Sequence, residues 1–202
     1  MERVREPTDS GSSLEKNRLH AKKKTYGYSE RDEQQRSEYL EYLKSFPPQE
    51  RVYLDEAGMD NREDSPFVWW PIGERFEALK SGRRQQRVSC IAAICGKQLL
   101  APFTFEGSCH RKLFEQWLEQ YLLPVLKPGM VVILDNASFH KGGRIRSLIE
   151  AAGCHLLYLP SYSPDLNPIE RWWARMKSIA RRLIESGQTL REAVDAALCC
   201  LS

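Results

Sequence analysis

Val131–His140 reads VVILDNASFH. Four consecutive apolar residues, Val131 to Leu134, predict a strand buried on both faces, because a half-exposed strand alternates apolar with polar positions. The apolar run stops at Asp135. A carboxylate placed where a buried strand emerges is poorly solvated and must be matched by cations, hydrogen bonds or a proton, which makes Asp135 a candidate site residue. Asp135-Asn136 equally suits the opening of an ordinary turn, since both side chains bond well to local backbone. Two further carboxylates weigh in that choice.

A chain of 202 residues holds one domain of ordinary size plus an arm. The 30 basic and 27 acidic residues leave a net charge of only +3, so the distribution of charge says more than its total. Lys80, Arg83, Arg84 and Arg87 form one basic cluster without an acid. Arg171, Arg175, Lys177, Arg181, Arg182 and Arg191 form a second, broken only by Glu185. Such patches suit a polyanion such as nucleic acid, although solvated helix faces look similar. The cysteines (Cys90, Cys95, Cys109, Cys154, Cys199, Cys200) lack the C-x-x-C spacing of a zinc site and read as small buried hydrophobes in a reducing compartment. No apolar run is long enough for a membrane span and Met1 to Ser13 lacks a signal-peptide core, which predicts a cytosolic protein with no membrane partner.

Met1 to Thr25 is rich in charge and poor in large apolar residues, as in a flexible arm; Lys22-Lys23-Lys24 could touch phosphates or simply be solvated. Ser29 to Phe46 predicts a helix capped by Ser29 and ended by Pro47-Pro48. Arg51 to Asp60, RVYLDEAGMD, repeats the opening theme: Val52, Tyr53 and Leu54 run directly into Asp55. Two strands ending in Leu-Asp, if adjacent and parallel, place both carboxylates at one end of a sheet, where ligands of open sheets tend to bind. Trp69 and Trp70 suit core packing or base stacking. Arg87–Cys95 and Gln98–Phe105 predict a β-hairpin turning at Gly96-Lys97. An amphipathic helix over Cys109–Leu126, a helix over Arg144–Ala152 stopped by Gly153, a strand over His155–Leu159, a long helix from Pro168 and a terminal helix capped by Thr189 and Glu192 complete a mixed α/β order.

Glu170 is the third carboxylate. Asn167 before Pro168 suits an N-cap, which makes Glu170 the third helical residue and the two of them a capping box. Beyond it, Ile169, Trp172, Trp173, Met176, Ala180 and Leu183 form an apolar stripe, while Glu170, Lys177 and Arg181 follow another face with Arg171, Arg175 and Arg182 alongside. A helix of that kind can offer a metal ligand and hold phosphates near it.

Asp55, Asp135 and Glu170, the last two 35 positions apart, stand in the motifs LDEAG, LDNASFH and LPSYSPDLNPIERWW. Together these closely resemble the DDE transposases of the mariner superfamily, specifically the bacterial insertion-sequence-630 branch, over about Tyr26 to Leu183. The resemblance implies a ribonuclease-H-like mixed five-stranded sheet flanked by helices. It divides the chain into a polar arm (1–25), a linker helix (26–50), the catalytic domain (51–188) and a C-terminal helix (189–202). It implies that Asp55, Asp135 and Glu170 are both the catalytic residues and the ligands of two Mg2+ or Mn2+ ions, with Asn136, His140 and Asn167 as neighbours. His140 would orient water or substrate, or make a structural hydrogen bond. Arg171, Arg175, Lys177, Arg181 and Arg182 are expected to meet DNA.

The implied activity is cleavage at transposon ends followed by strand transfer to target DNA, in a homodimer or higher oligomer of a cytoplasmic, nucleoid-associated bacterial protein. Full-length relatives carry paired helix-turn-helix modules upstream, for which Met1 to Thr25 is too short. The expectation is therefore a separately encoded helix-turn-helix segment, or a decayed copy. A ribonuclease-H-like nuclease without joining activity and an inhibitory DNA-binding fragment are the competing readings.

Overall fold

The computed structural model describes residues 28–60, 87–137, 140–141 and 143–202. The polar arm, Lys22 to Lys24, Trp69, Trp70 and the basic residues Lys80, Arg83 and Arg84 lie outside the described residues. Helix α1 (Glu33–Leu43) is followed by β1 (Arg51–Asp60), β2 (Arg87–Cys95), β3 (Gln98–Glu106), α2 (Arg111–Trp117), β4 (Val131–Leu134), α3 (Gly143–Ala151), β5 (His155–Tyr158), α4 (Glu170–Glu185) and α5 (Leu190–Cys199). The sheet runs in the order β3-β2-β1-β4-β5. The β1–β2 and β2–β3 pairs are antiparallel and the β1–β4 and β4–β5 pairs parallel, a mixed five-stranded sheet as predicted.

The apolar alternation of the strands assigns each face to different helices. Val52, Leu54, Val132 and Leu134 point to α2 and α3, whose Phe114, Trp117, Ile145 and Ile149 are fully or almost fully buried with them. Met59, Val88, Cys90 and Ala92 face α4 and α5 through Trp173, Met176, Ala180 and Val194. Val131 and Ile133 face α1 through Tyr39 and Leu43. Helices on both faces explain why β4 is apolar without alternation: all four of its residues are buried. Each such side chain contributes about 1.5–3 kcal/mol when removed from water.

Local chemistry corrects several predicted boundaries. Asp32, not Ser29, caps α1, its Oδ1 accepting from the backbone N–H groups of Gln34 (2.9 Å) and Gln35 (3.1 Å). The second predicted helix starts after His110, whose Nδ1 accepts from Leu113 N, and passes through a π-helical turn (Leu118–Leu122) before Pro124 helps end it. The hairpin turn falls at Gly96, which takes a φ of +60°. Thr189 and Glu192 form the predicted capping box of α5. Of the cysteines, Cys90 and Cys154 are buried, whereas Cys199 and Cys200 at the end of α5 are exposed, contrary to a uniform burial. Among the described residues no helix is long and apolar enough to cross a membrane.

Candidate active site

The sheet brings two carboxylates to one level. β1 pairs in parallel with β4 from Arg51↔Val131 to Tyr53↔Ile133, and the same register continued by two residues sets Asp55 opposite Asp135. β1 does not end there as predicted. It runs on to Asp60, because β2 supplies ladder partners for every residue from Val52 to Asp60, while β4 leaves the sheet after Leu134. Asp55 therefore sits in a continuous strand at the point where its neighbour departs.

Asp55 is held from α4. Its Oδ1 accepts from the Glu56 backbone N–H at 2.8 Å and its Oδ2 from Trp173 Nε1 at 3.2 Å. Burial pushes its carboxyl up to about 7. The charges of Glu56 and Glu170 push the same way, and the two hydrogen bonds only limit the rise. Glu170 is thus within electrostatic reach of Asp55, and it is exposed. The predicted capping box does not form: the Asn167 backbone N–H donates to the Pro164 carbonyl at 2.9 Å. Asn167, 6% exposed, instead donates from Nδ2 to the Leu54 carbonyl (3.4 Å) and accepts at Oδ1 from Ile169 N (3.3 Å). It ties the start of α4 to β1 one residue before Asp55.

Asp135 has a different environment. Its Oδ1 accepts from Ala137 N at 3.1 Å, so the ordinary Asx turn is present, and also contacts His140 Nδ1 at 2.6 Å. His140 is 1% exposed and reaches Glu56 Oε1 with Nε2 at 3.0 Å. Its ring packs on Phe114, and its carbonyl accepts from Tyr158 Oη at 2.9 Å. Burial by itself would lower the imidazole pKa; the two carboxylates outweigh it and raise it to about 9. For Asp135, burial works against ionisation, but His140 and the Ala137 N–H together hold it below the usual carboxylate range. Asn136 is exposed and donates to Ser161 Oγ at 3.2 Å. Sequence reasoning missed Glu56, which lies on the opposite face of β1 from Asp55, and the indole hydrogen bond of Trp173. The only available hint was the adjacency of Glu56 to Asp55.

The donor chemistry of this sheet end fits a hard divalent cation: several carboxylates, one of them desolvated and repelled by two others, are stabilised by a positive ion with oxygen-ligand preference. Among the described residues no three His, Cys, Asp or Glu side chains are already gathered closely enough to hold a metal ion. The basic side chains of α4 divide. Arg171, Arg175 and Arg182 are exposed, Arg175 lying 5.9 Å from the centre of the Trp172 ring. Lys177 and Arg181 are half-buried, which corrects the exposed face expected for them; Lys177 lies within electrostatic reach of the Cys90 thiol of β2.

The model of the family described as DDE superfamily endonuclease matches residues 50–191. The chain belongs to this family. Within the DDE endonucleases it is similar to the Transposable element Tc1 transposase of Caenorhabditis elegans, 35% identical over 68 residues, which cover 34% of this chain and 25% of that one. It is also similar to the Tcb1 transposase of Caenorhabditis briggsae, 32% identical over 75 residues, covering 35% and 28%. The matched segments span about a quarter of the length of these curated relatives. Among solved structures, a pre-cleavage Mos1 transpososome superposes with a TM-score of 0.60 at 15% identity, over 92% of this chain and 67% of that one. The Mos1 mariner paired-end complex with Mn gives 0.60 at 14%, over 89% and 63%. The fold is ribonuclease-H-like, as the motifs implied.

Proposed function

We propose that this DDE endonuclease domain is the catalytic part of a transposase, cutting DNA at transposon ends and joining the freed ends to target DNA. The observation that carries this reading is the common level of Asp55 and Asp135 on neighbouring parallel strands, with Glu170 at the start of α4 within electrostatic reach of Asp55. The catalytic unit would be residues 51–188. The finer placement in the insertion-sequence-630 branch rests on the Leu159–Lys177 block, LPSYSPDLNPIERWWARMK.

Asp55, Asp135 and Glu170 would hold two Mg2+ or Mn2+ ions, which supply positive charge for the attacking and leaving oxygens of an in-line displacement at phosphorus. The chain's own side chains do the positioning. Trp173 aims Asp55 by its indole N–H, and Asn167 fixes the start of α4 against β1, so that Glu170 comes forward. His140, braced between Asp135 and Glu56, sets the rotamer of Asp135. Arg171, Arg175 and Arg182 face solvent near the same helix and suit the DNA backbone; Lys177 and Arg181 are less available to it.

One Mos1 structure is a strand transfer complex and another a paired-end complex with the left transposon end. By extension, the partners of this chain are DNA ends, target DNA and a second copy of itself. Incubation with Mg2+ and pre-cleaved 3′-hydroxyl ends tests the reading. Joined products are expected from the wild-type chain and none from Asp135→Ala. Cleavage without joining would replace the reading with a nuclease, and binding alone with an inhibitory fragment.

A further inference from the structure

A cavity of about 560 Å3 lies between α1, the start of β1 and the segment leading into α4. Tyr39, Arg51, Tyr53, Glu170 and Arg171 are among its walls. Tyr39 is 6% exposed, and its hydroxyl is buried with no hydrogen-bond partner among the described residues. Such a hydroxyl weakens a fold, and phenylalanine would fill the same space without it. Among the described residues nothing accounts for its presence.

The other walls indicate what would satisfy it. Arg51 donates from Nε to the Phe46 carbonyl at 2.8 Å, and its guanidinium has further donors close to Tyr39 and Tyr53; burial pushes both phenols up and keeps them neutral, and Arg51 only limits the rise. Arg171 is exposed. Asp165, also a wall residue, is neutralised by a two-pronged contact with Arg36 at 3.0 and 2.7 Å. With Asp165 so paired, the charged walls left among the described residues are Arg51, Arg171 and Glu170, a net positive lining. Arg51, Tyr53 and Asp55 fall at alternate positions of β1 and share a face of the sheet, so Tyr53 and Asp55 are about 7 Å apart.

We propose that the cavity seats the sugar-phosphate of the nucleotide next to the reacting phosphodiester, with Arg51 and Arg171 matching its charge and the Tyr39 hydroxyl donating to it. The site rests on the DNA-cutting reading and extends it to residues of α1 and of the first half of β1, outside the carboxylate cluster.

The test uses the full chain and a labelled DNA duplex with a 3′-hydroxyl overhang, titrated across a salt series. Tyr39→Phe should weaken binding about 3–10-fold while thermal stability is unchanged or raised, as expected for loss of one hydrogen bond made only in the complex. Arg51→Gln should lower the slope of log affinity against log salt by about 0.7–0.9, one phosphate contact. Arg175→Gln, away from the cavity walls, reports on the DNA interface independently. If Tyr39→Phe and Arg51→Gln bind like wild type while Arg175→Gln weakens binding, the cavity is overturned and the DNA reading stands. If Tyr39→Phe lowers stability and affinity together, the hydroxyl is structural and the cavity is likewise overturned. If the wild-type chain does not bind the duplex, both readings fall.

Discussion

Asp55 and Asp135 follow the same dipeptide step, Leu-Asp, at the same level of two parallel strands, yet they end in opposite electrostatic states. Asp135 has a histidine partner at 2.6 Å and ionises more readily than a free carboxylate. Asp55 has two acidic neighbours and an indole, and burial drives its carboxyl up to about 7. The strand context sets where a carboxylate stands; burial and the side chains around it set its charge. One aspartate comes with its countercharge built in, and the other is left to be neutralised by a proton or a bound cation.

The largest expected effect is on catalysis. Asp55→Asn, Asp135→Asn and Glu170→Gln should each reduce DNA cleavage by about 10³-fold or more, since each would remove a negative ligand from the proposed metal centre. A variant retaining more than a tenth of the wild-type rate in a single-turnover assay would remove that residue from the site. Next, Glu56→Ala should reduce cleavage by about 10–100-fold, the usual scale for a residue that orients a ligand through histidine. Glu56→Gln should recover part of the loss by keeping a hydrogen-bond partner for His140 Nε2, and equal losses in the two variants would break the bracing role.

Stability should separate the two aspartates. Because the folded pKa of Asp55 lies above its unfolded value of about 4, the folded chain binds the extra proton between about pH 4 and 7, and stability falls as pH rises through that window. Asp135, held below its ordinary range, contributes stability above about pH 4 that is lost as pH falls further. At pH 8 Asp55→Asn should therefore raise stability, by on the order of 2 kcal/mol, whereas Asp135→Asn should lower it by about 1–3 kcal/mol through the loss of the histidine pair. Thermal denaturation at pH 4.5 and pH 8 distinguishes them; changes of the same sign at pH 8 would erase the contrast. The smallest effect belongs to Trp173→Phe, which keeps the packing but removes one hydrogen bond to Asp55. A roughly 3–10-fold rate loss is expected, and a wild-type rate would show that packing alone places α4.

How much of this was legible in sequence follows the range of the interactions. The buried β4, the hairpin at Gly96-Lys97 and the capping box of α5 depend on residues within a few positions of one another, and the structure agrees with each. The role of Asn167 was legible only as a helix cap; its bond to the Leu54 carbonyl spans 113 residues and depends on the finished sheet. Glu56 escaped notice because its partner His140 lies 84 residues away and approaches from the other face of the strand. The start of α1 lies three residues beyond the expected cap because Ser29 and Asp32 are both competent caps, and only the geometry shows Asp32 accepting from two backbone N–H groups. The half-burial of Lys177 and Arg181 reflects how α4 rests on β2, which helical periodicity alone does not set.

The most direct measurement is anomalous scattering from crystals of the full chain grown with Mn2+. The account predicts strong peaks bounded by the carboxylates of Asp55, Asp135 and Glu170, with Asp135 still in contact with His140. Manganese bound elsewhere, or no peak at that end of the sheet in a well-ordered crystal, would contradict it.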